Sequence, residues 1–119
     1  MLLRASGQRD DQEFDLTAIT QPGRQSGVPH EAWLRQLTEL TISGDWQALP
    51  AVLAEASLAM GQQQAVDALV VASAFNGITR VADATGIPLD ENTADTTTRM
   101  RTQVGLDTFD YHHKSARYG

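Results

Sequence analysis

Between Gly61 and Gly86 runs a proline-free stretch of 24 residues, Gln62–Thr85, rich in good helix formers. At about 100° per residue, Val66, Val70, Val71, Ala74, Phe75, Ile78, Val81 and Ala82 cover more than half of its circumference. A helix with so wide an apolar surface has to be covered on most sides, by a bundle or by other subunits. Gly86 and Pro88 are placed to end it.

The rest of the chain offers weaker helices and no strand. Trp33, Leu34, Leu37, Leu40 and Thr41 recur at three- and four-residue steps, which predicts a helix over Pro29–Ile42 closed by Gly44. Asp45 suits a capping position, and Pro50 suits the first turn of a helix over Pro50–Met60. A fourth helix is expected over Thr93–Val104, capped by Asn92 or Thr93 and ended by Gly105. No stretch alternates cleanly, and 16 alanines outnumber the β-branched apolar residues. The expected fold is therefore all-α, a small helical bundle that completes its core by oligomerisation. Residues 1–28 are expected to be loosely ordered, with Phe14, Leu16 and Ile19 as the apolar anchors. Residues 29–105 form the expected helical domain, and 106–119 a C-terminal tail.

Composition removes several functions. The 119 residues allow one small domain. Leu, Ile, Val and Phe together number 26, just above the level at which charged chains stay disordered. There is no cysteine, hence no disulfide framework, thiolate metal site or thiol nucleophile. Asn76 and Arg80 interrupt the long apolar stretch, so no membrane span is expected. Met1-Leu2-Leu3-Arg4 is too short for the apolar region of a signal peptide, which favours the cytoplasm. Of the net charge of −6, residues 45–98 carry the whole excess, with seven acidic groups against Arg80 alone. Nucleic-acid binding is not expected from so acidic a centre.

Within the long helix, Ser73, Asn76, Arg80 and Asp83 follow at steps of three, four and three residues. They fall within about 80° of one another, on one narrow stripe. Gly77, beside Asn76, costs about 1 kcal/mol relative to alanine, so tertiary contacts must compensate. Together with Ala72, Ser73 and Ala74 it removes bulk and permits close approach of another helix. Three roles fit the stripe: a network fixing helix register or a subunit interface, an anchor for an anion or small-molecule carboxylate at Arg80, and a solvated face.

The run Ala74-Phe75-Asn76-Gly77-Ile78-Thr79-Arg80-Val81-Ala82-Asp83-Ala84-Thr85-Gly86-Ile87-Pro88-Leu89-Asp90 resembles the C-terminal half of the carboxymuconolactone decarboxylase-like superfamily. More narrowly it is similar to the alkyl hydroperoxidase D-like, peroxidase-related branch. Phe75, Asn76, Arg80, Asp83, Gly86, Pro88 and Asp90 fill that branch's pattern. Gly44-Asp45-Trp46 and the helix after Pro50 fit its layout, so the resemblance covers roughly residues 44–92. It implies an all-helical subunit assembling into a homo-oligomer, a trimer or hexamer. In redox members it also implies a Cys-x-x-Cys pair that reduces peroxides, which this chain lacks. No catalytic residue carries over, and the resemblance implies a degenerate or truncated non-redox member. Leu2-Leu3-Arg4-Ala5-Ser6-Gly7 is similar to the stretch that follows the redox helix in such relatives, which implies that the first half of the family domain is missing, through a real truncation or a misplaced start.

A second expectation from a different class is a cysteine-free enzyme, decarboxylase-like or using other acid–base chemistry. Arg80 would hold a carboxylate, with Glu55, Asp67, Asp83 or a histidine as acid or base. His112-His113 with Asp110 lacks a third, well-placed metal ligand, and His30 is far away in sequence, so neither metal nor cofactor is expected. The tail residues Phe109, Tyr111, His112, Lys114, Arg117 and Tyr118 could dock on an acidic subunit surface. No phosphate loop, dinucleotide fingerprint or Ser-His-Asp order is present.

Overall fold

The computed structural model describes residues 9–87 and 90–108. Among them the chain is all-helical and contains no strand. Its helices are α1 (Glu31–Ser43), α2 (Leu49–Met60), α3 (Gln62–Thr85) and α4 (Glu91–Gln103), with 3-10 turns at Leu16–Ile19 and Leu106–Thr108. Two compact units result. Residues 29–84 form one; the described residues up to Val28 and from Thr85 onward form the other.

In the 29–84 unit, local chemistry sets the helix ends. His30 takes a left-handed φ of 60° at the start of α1, so the helix begins at Glu31, after Pro29. Gly44 closes α1 in the left-handed region with φ 73°, its N–H directed at the carbonyls of Leu40 and Thr41. A Cβ at that residue would sit 3.5 Å from the Trp46 ring, and the conformation itself disfavours any side chain. The Asp45 carboxylate then accepts from the Ala48 N–H at 3.0 Å and turns the chain into α2.

The core of this unit is narrow. Leu37, Ala56 and Ala65 are fully buried, with Trp33, Leu49, Val52, Leu53, Met60, Ala68 and Leu69 packed around them. Leu37 is the one large side chain sealed off completely among the described residues. The two alanines let the helices of this unit pack closely against it.

The other unit is tied by hydroxyl groups more than by apolar bulk. Among the described residues its buried ones are Thr17, Ala18, Thr97 and Val104. The Asp15 carboxylate accepts from the Thr17 N–H at 2.9 Å and from the Thr17 hydroxyl at 2.6 Å. The resulting turn points Thr17 and Ala18 inward and leaves Ile19 63% exposed, so Ile19 is not the anchor its hydrophobicity suggests. The Thr20 hydroxyl donates to the Val104 carbonyl at 2.6 Å, joining residues 84 positions apart. Residues 1–8, including the Leu2–Gly7 stretch, lie outside the described residues.

Helix α4 is threonine-rich, a composition that favours caps and turns over helix interiors. Its start is fixed by Asp90, not Asn92 or Thr93, because Asp90 accepts from both the N–H and the hydroxyl of Thr93, at 2.8 and 2.7 Å. Arg101 braces the far end, donating to the Ala94 carbonyl and the Thr97 hydroxyl and pairing with Asp107. The Thr93 N–H, followed by its hydroxyl, holds the Asp90 carboxyl below the ordinary carboxylate range. A carboxyl with a lowered folded-state pKa stabilises above its unfolded value, and that contribution is lost as pH falls through the folded one. Asp90→Ala is therefore expected to raise amide exchange through the first turn of α4 at neutral pH. The gap to the parent should close on acidification below the carboxylate range; equal exchange at neutral pH would refute the cap.

Candidate functional site

Helix α3 changes its apolar side halfway along. Over residues 62–69, Ala65, Ala68 and Leu69 lie on the side that meets the Leu37 core, while Gln63, Gln64 and Asp67 are exposed. Over residues 70–84 the pattern inverts. Ser73, Asn76, Thr79, Arg80 and Asp83 continue the core-facing side of the first half, within about 120°. The remaining arc, about 180° wide, holds Val70, Val71, Ala74, Phe75, Gly77, Ile78, Val81, Ala82 and Ala84 without one polar side chain.

That arc is solvent-facing within the chain. Val66, Val70, Val71, Phe75, Ile78 and Val81 are each 41–65% exposed. The expectation that this helix is enclosed on most sides is thus not met by the chain's own fold; Ala65 alone on α3 is fully buried. The core of the 29–84 unit has one large sealed residue and extends only as far as the first half of the helix. By length and composition alone α3 is also long and apolar enough to cross a membrane. Asn76 and Arg80 do not alter this, because valines and alanines surround them.

The four stripe residues do share one side of α3, and their exposure differs. Asn76 and Asp83 are half-buried; Ser73 and Arg80 are exposed. The Thr79 hydroxyl donates to the Asn76 carbonyl at 3.0 Å. Ion pairs among the described residues join Arg24 to Asp15, Arg35 to Glu31 and Arg101 to Asp107, and none of these engages Arg80. Arg80 is a solvated cation on the polar side of the helix. It needs no buried counter-charge in this setting.

A groove of about 660 Å³ lies elsewhere in the 29–84 unit. Leu34, Met60, Ala68, Val71 and Phe75 give it an apolar lining, joined by His30, Thr38, Gln64 and Asp67. Asp67 accepts from Gln63 Nε2 at 2.8 Å. Arg80 and Asp83 do not line it, so the fold does not bring His30 and Asp67 into one pocket with the arginine. Glu55 is exposed on α2 and also stands outside it. Sequence periodicity alone misses this groove, since it needs α1 and α3 side by side; the signal present is the three- and four-residue spacing of Ala68, Val71 and Phe75.

The carboxyls held below the ordinary range, Asp15, Asp90 and Asp107, lie outside both stripe and groove. The Thr17 hydroxyl, the Thr93 N–H and the Thr102 hydroxyl are the respective leading causes. These groups serve turns and caps. Among the described residues no three His, Asp or Glu side chains gather in a way that would hold a metal. His112, His113 and Asp110 lie outside the described residues, as do Phe109, Tyr111, Lys114, Arg117 and Tyr118. No family model, curated protein or solved structure matches the chain.

Proposed function

We propose that this chain is a homo-oligomeric helical subunit, related to the carboxymuconolactone decarboxylase-like and alkyl hydroperoxidase D-like proteins, in which the thiol redox centre is absent and assembly is what remains. The carrying observation is the uncharged, solvent-facing arc over residues 70–84 of α3. Exposed apolar patches larger than a few hundred Å² on a soluble chain mark interaction sites. The Phe75–Asp90 motif supports the family, and the lack of any cysteine removes the peroxidatic nucleophile its redox members use.

The cysteine-free enzyme is the alternative, and the geometry favours it less. Its carboxylate anchor and its acid–base groups would have to share a pocket, whereas His30 and Asp67 line the groove away from Arg80, and Asp83, on Arg80's side of α3, stands outside that groove. The test is light scattering of the purified chain, with a peroxide-reduction assay supplied with a thiol reductant. A stable multimer with no turnover is expected. A monomer at all concentrations, or measurable turnover, overturns the proposal. Arg80→Met should leave the multimer intact, because Arg80 lies outside the apolar arc. Binding of succinate that is present in the parent and lost in Arg80→Met would favour the enzyme instead.

A further inference from the structure

The apolar half of α3 has a size pattern that reads the same from both ends. Val70, Ala74, Gly77 and Val81 follow at steps of four, three and four residues, a heptad-like seam with large residues outside and small ones inside. An antiparallel two-fold pair centred between Ala74 and Gly77 sets Val70 of one copy against Val81 of the other, and Ala74 against Gly77. Such matching is what an isologous contact demands, since one surface has to complement itself.

Three further observations favour a second copy as the occupant. A Cβ built on Gly77 meets nothing within 4 Å, so the space over the seam's centre is open for a second helix to approach closely. The large apolar side chains on or beside the seam, Val66, Val70, Ile78 and Val81, leave on the order of 400 Å² uncovered, about half of the ~800 Å² per partner in a standard stable interface. Residues 45–98 carry a net −6, which disfavours the anionic surface of a membrane as the alternative cover.

We infer that two copies of this chain pair through α3, antiparallel, on the Val70–Ala74–Gly77–Val81 seam, with Val66 and Ile78 beside it. This deepens the assembly proposed above and rests on it. Closed two-fold pairing fits a dimer or a hexamer and excludes a simple trimer.

Because the chain has no cysteine, a single introduced thiol is the only one present. Val70→Cys and Val81→Cys chains, mixed and treated with a short bis-maleimide, should give at least about ten times more linked dimer than either alone. Preferential self-linking of Val70→Cys would mean parallel helices and would overturn the pairing. A parent multimer with no linking in the mixture, or a three-copy mass, sinks the pairing and leaves assembly standing. A parent monomer in solution sinks both, including one that sediments with phosphatidylcholine vesicles.

Discussion

Replacing Leu37 by alanine is expected to destabilise the 29–84 unit by about 2–5 kcal/mol, the usual range for a buried leucine reduced to alanine. Leu37 is fully buried and its enclosed companions are two alanines, so no neighbouring side chain in the sealed centre is large enough to fill the gap. A unit of this size has a total stability of roughly 3–8 kcal/mol, so the loss is comparable to the whole. Urea unfolding followed by circular dichroism, at one fixed protein concentration, should show a midpoint falling towards zero denaturant. Leu37→Met conserves volume and should cost less than about 1.5 kcal/mol. Equal costs for the two variants would show that packing at Leu37 does not limit stability.

The importance of Leu37 is partly legible in the sequence. Its three- and four-residue spacing from Trp33, Leu34, Leu40 and Thr41 puts it on the apolar side of α1. The sequence also marks the helix ends, because glycine and proline act through their own backbone. Gly44 and Gly61 flank α2 as expected, and α3 spans Gln62–Thr85 as expected. The start of α4 shifts to Glu91 because Asp90, Asn92 and Thr93 are all cap-forming types close together. Only the bonds from Thr93 to Asp90 decide among them.

The side of α3 that meets the core is harder to read. A periodicity taken over all 24 residues blends two halves whose apolar faces point in opposite directions, and the blend looks like a helix apolar over more than half of its circumference. Divided at Leu69, the same residues tell a different story. The first half presents Ala65, Ala68 and Leu69 to the core, and the second presents Asn76, Arg80 and Asp83 on that same side. Spacing places the polar stripe on one side of the helix; which side is covered depends on the reach of the Leu37 core, a tertiary fact. For this reason Arg80, alone in the acidic middle of the chain, is solvated in the fold, while the apolar residues around it are left exposed.

The second large effect follows from that inversion. Val70→Asp combined with Val81→Asp should weaken self-association by at least about 100-fold, since pairing would bury four unpaired carboxylates along one seam, at several kcal/mol in total. Both valines are about 60% exposed within the chain, so the helical content and the urea midpoint of the separated chain should change little. Sedimentation velocity over a concentration series reads the association, and circular dichroism reads the fold. The control is Thr79→Asp, a single added carboxylate on the polar side of the same helix, where association should stay within a few-fold of the parent. Salt gives an independent sign. Each chain carries −6 and the seam itself is uncharged, so added salt screens repulsion and should tighten the parent pair. An association that salt weakens would mean that ion pairs between copies, and not the apolar half of α3, hold the assembly together.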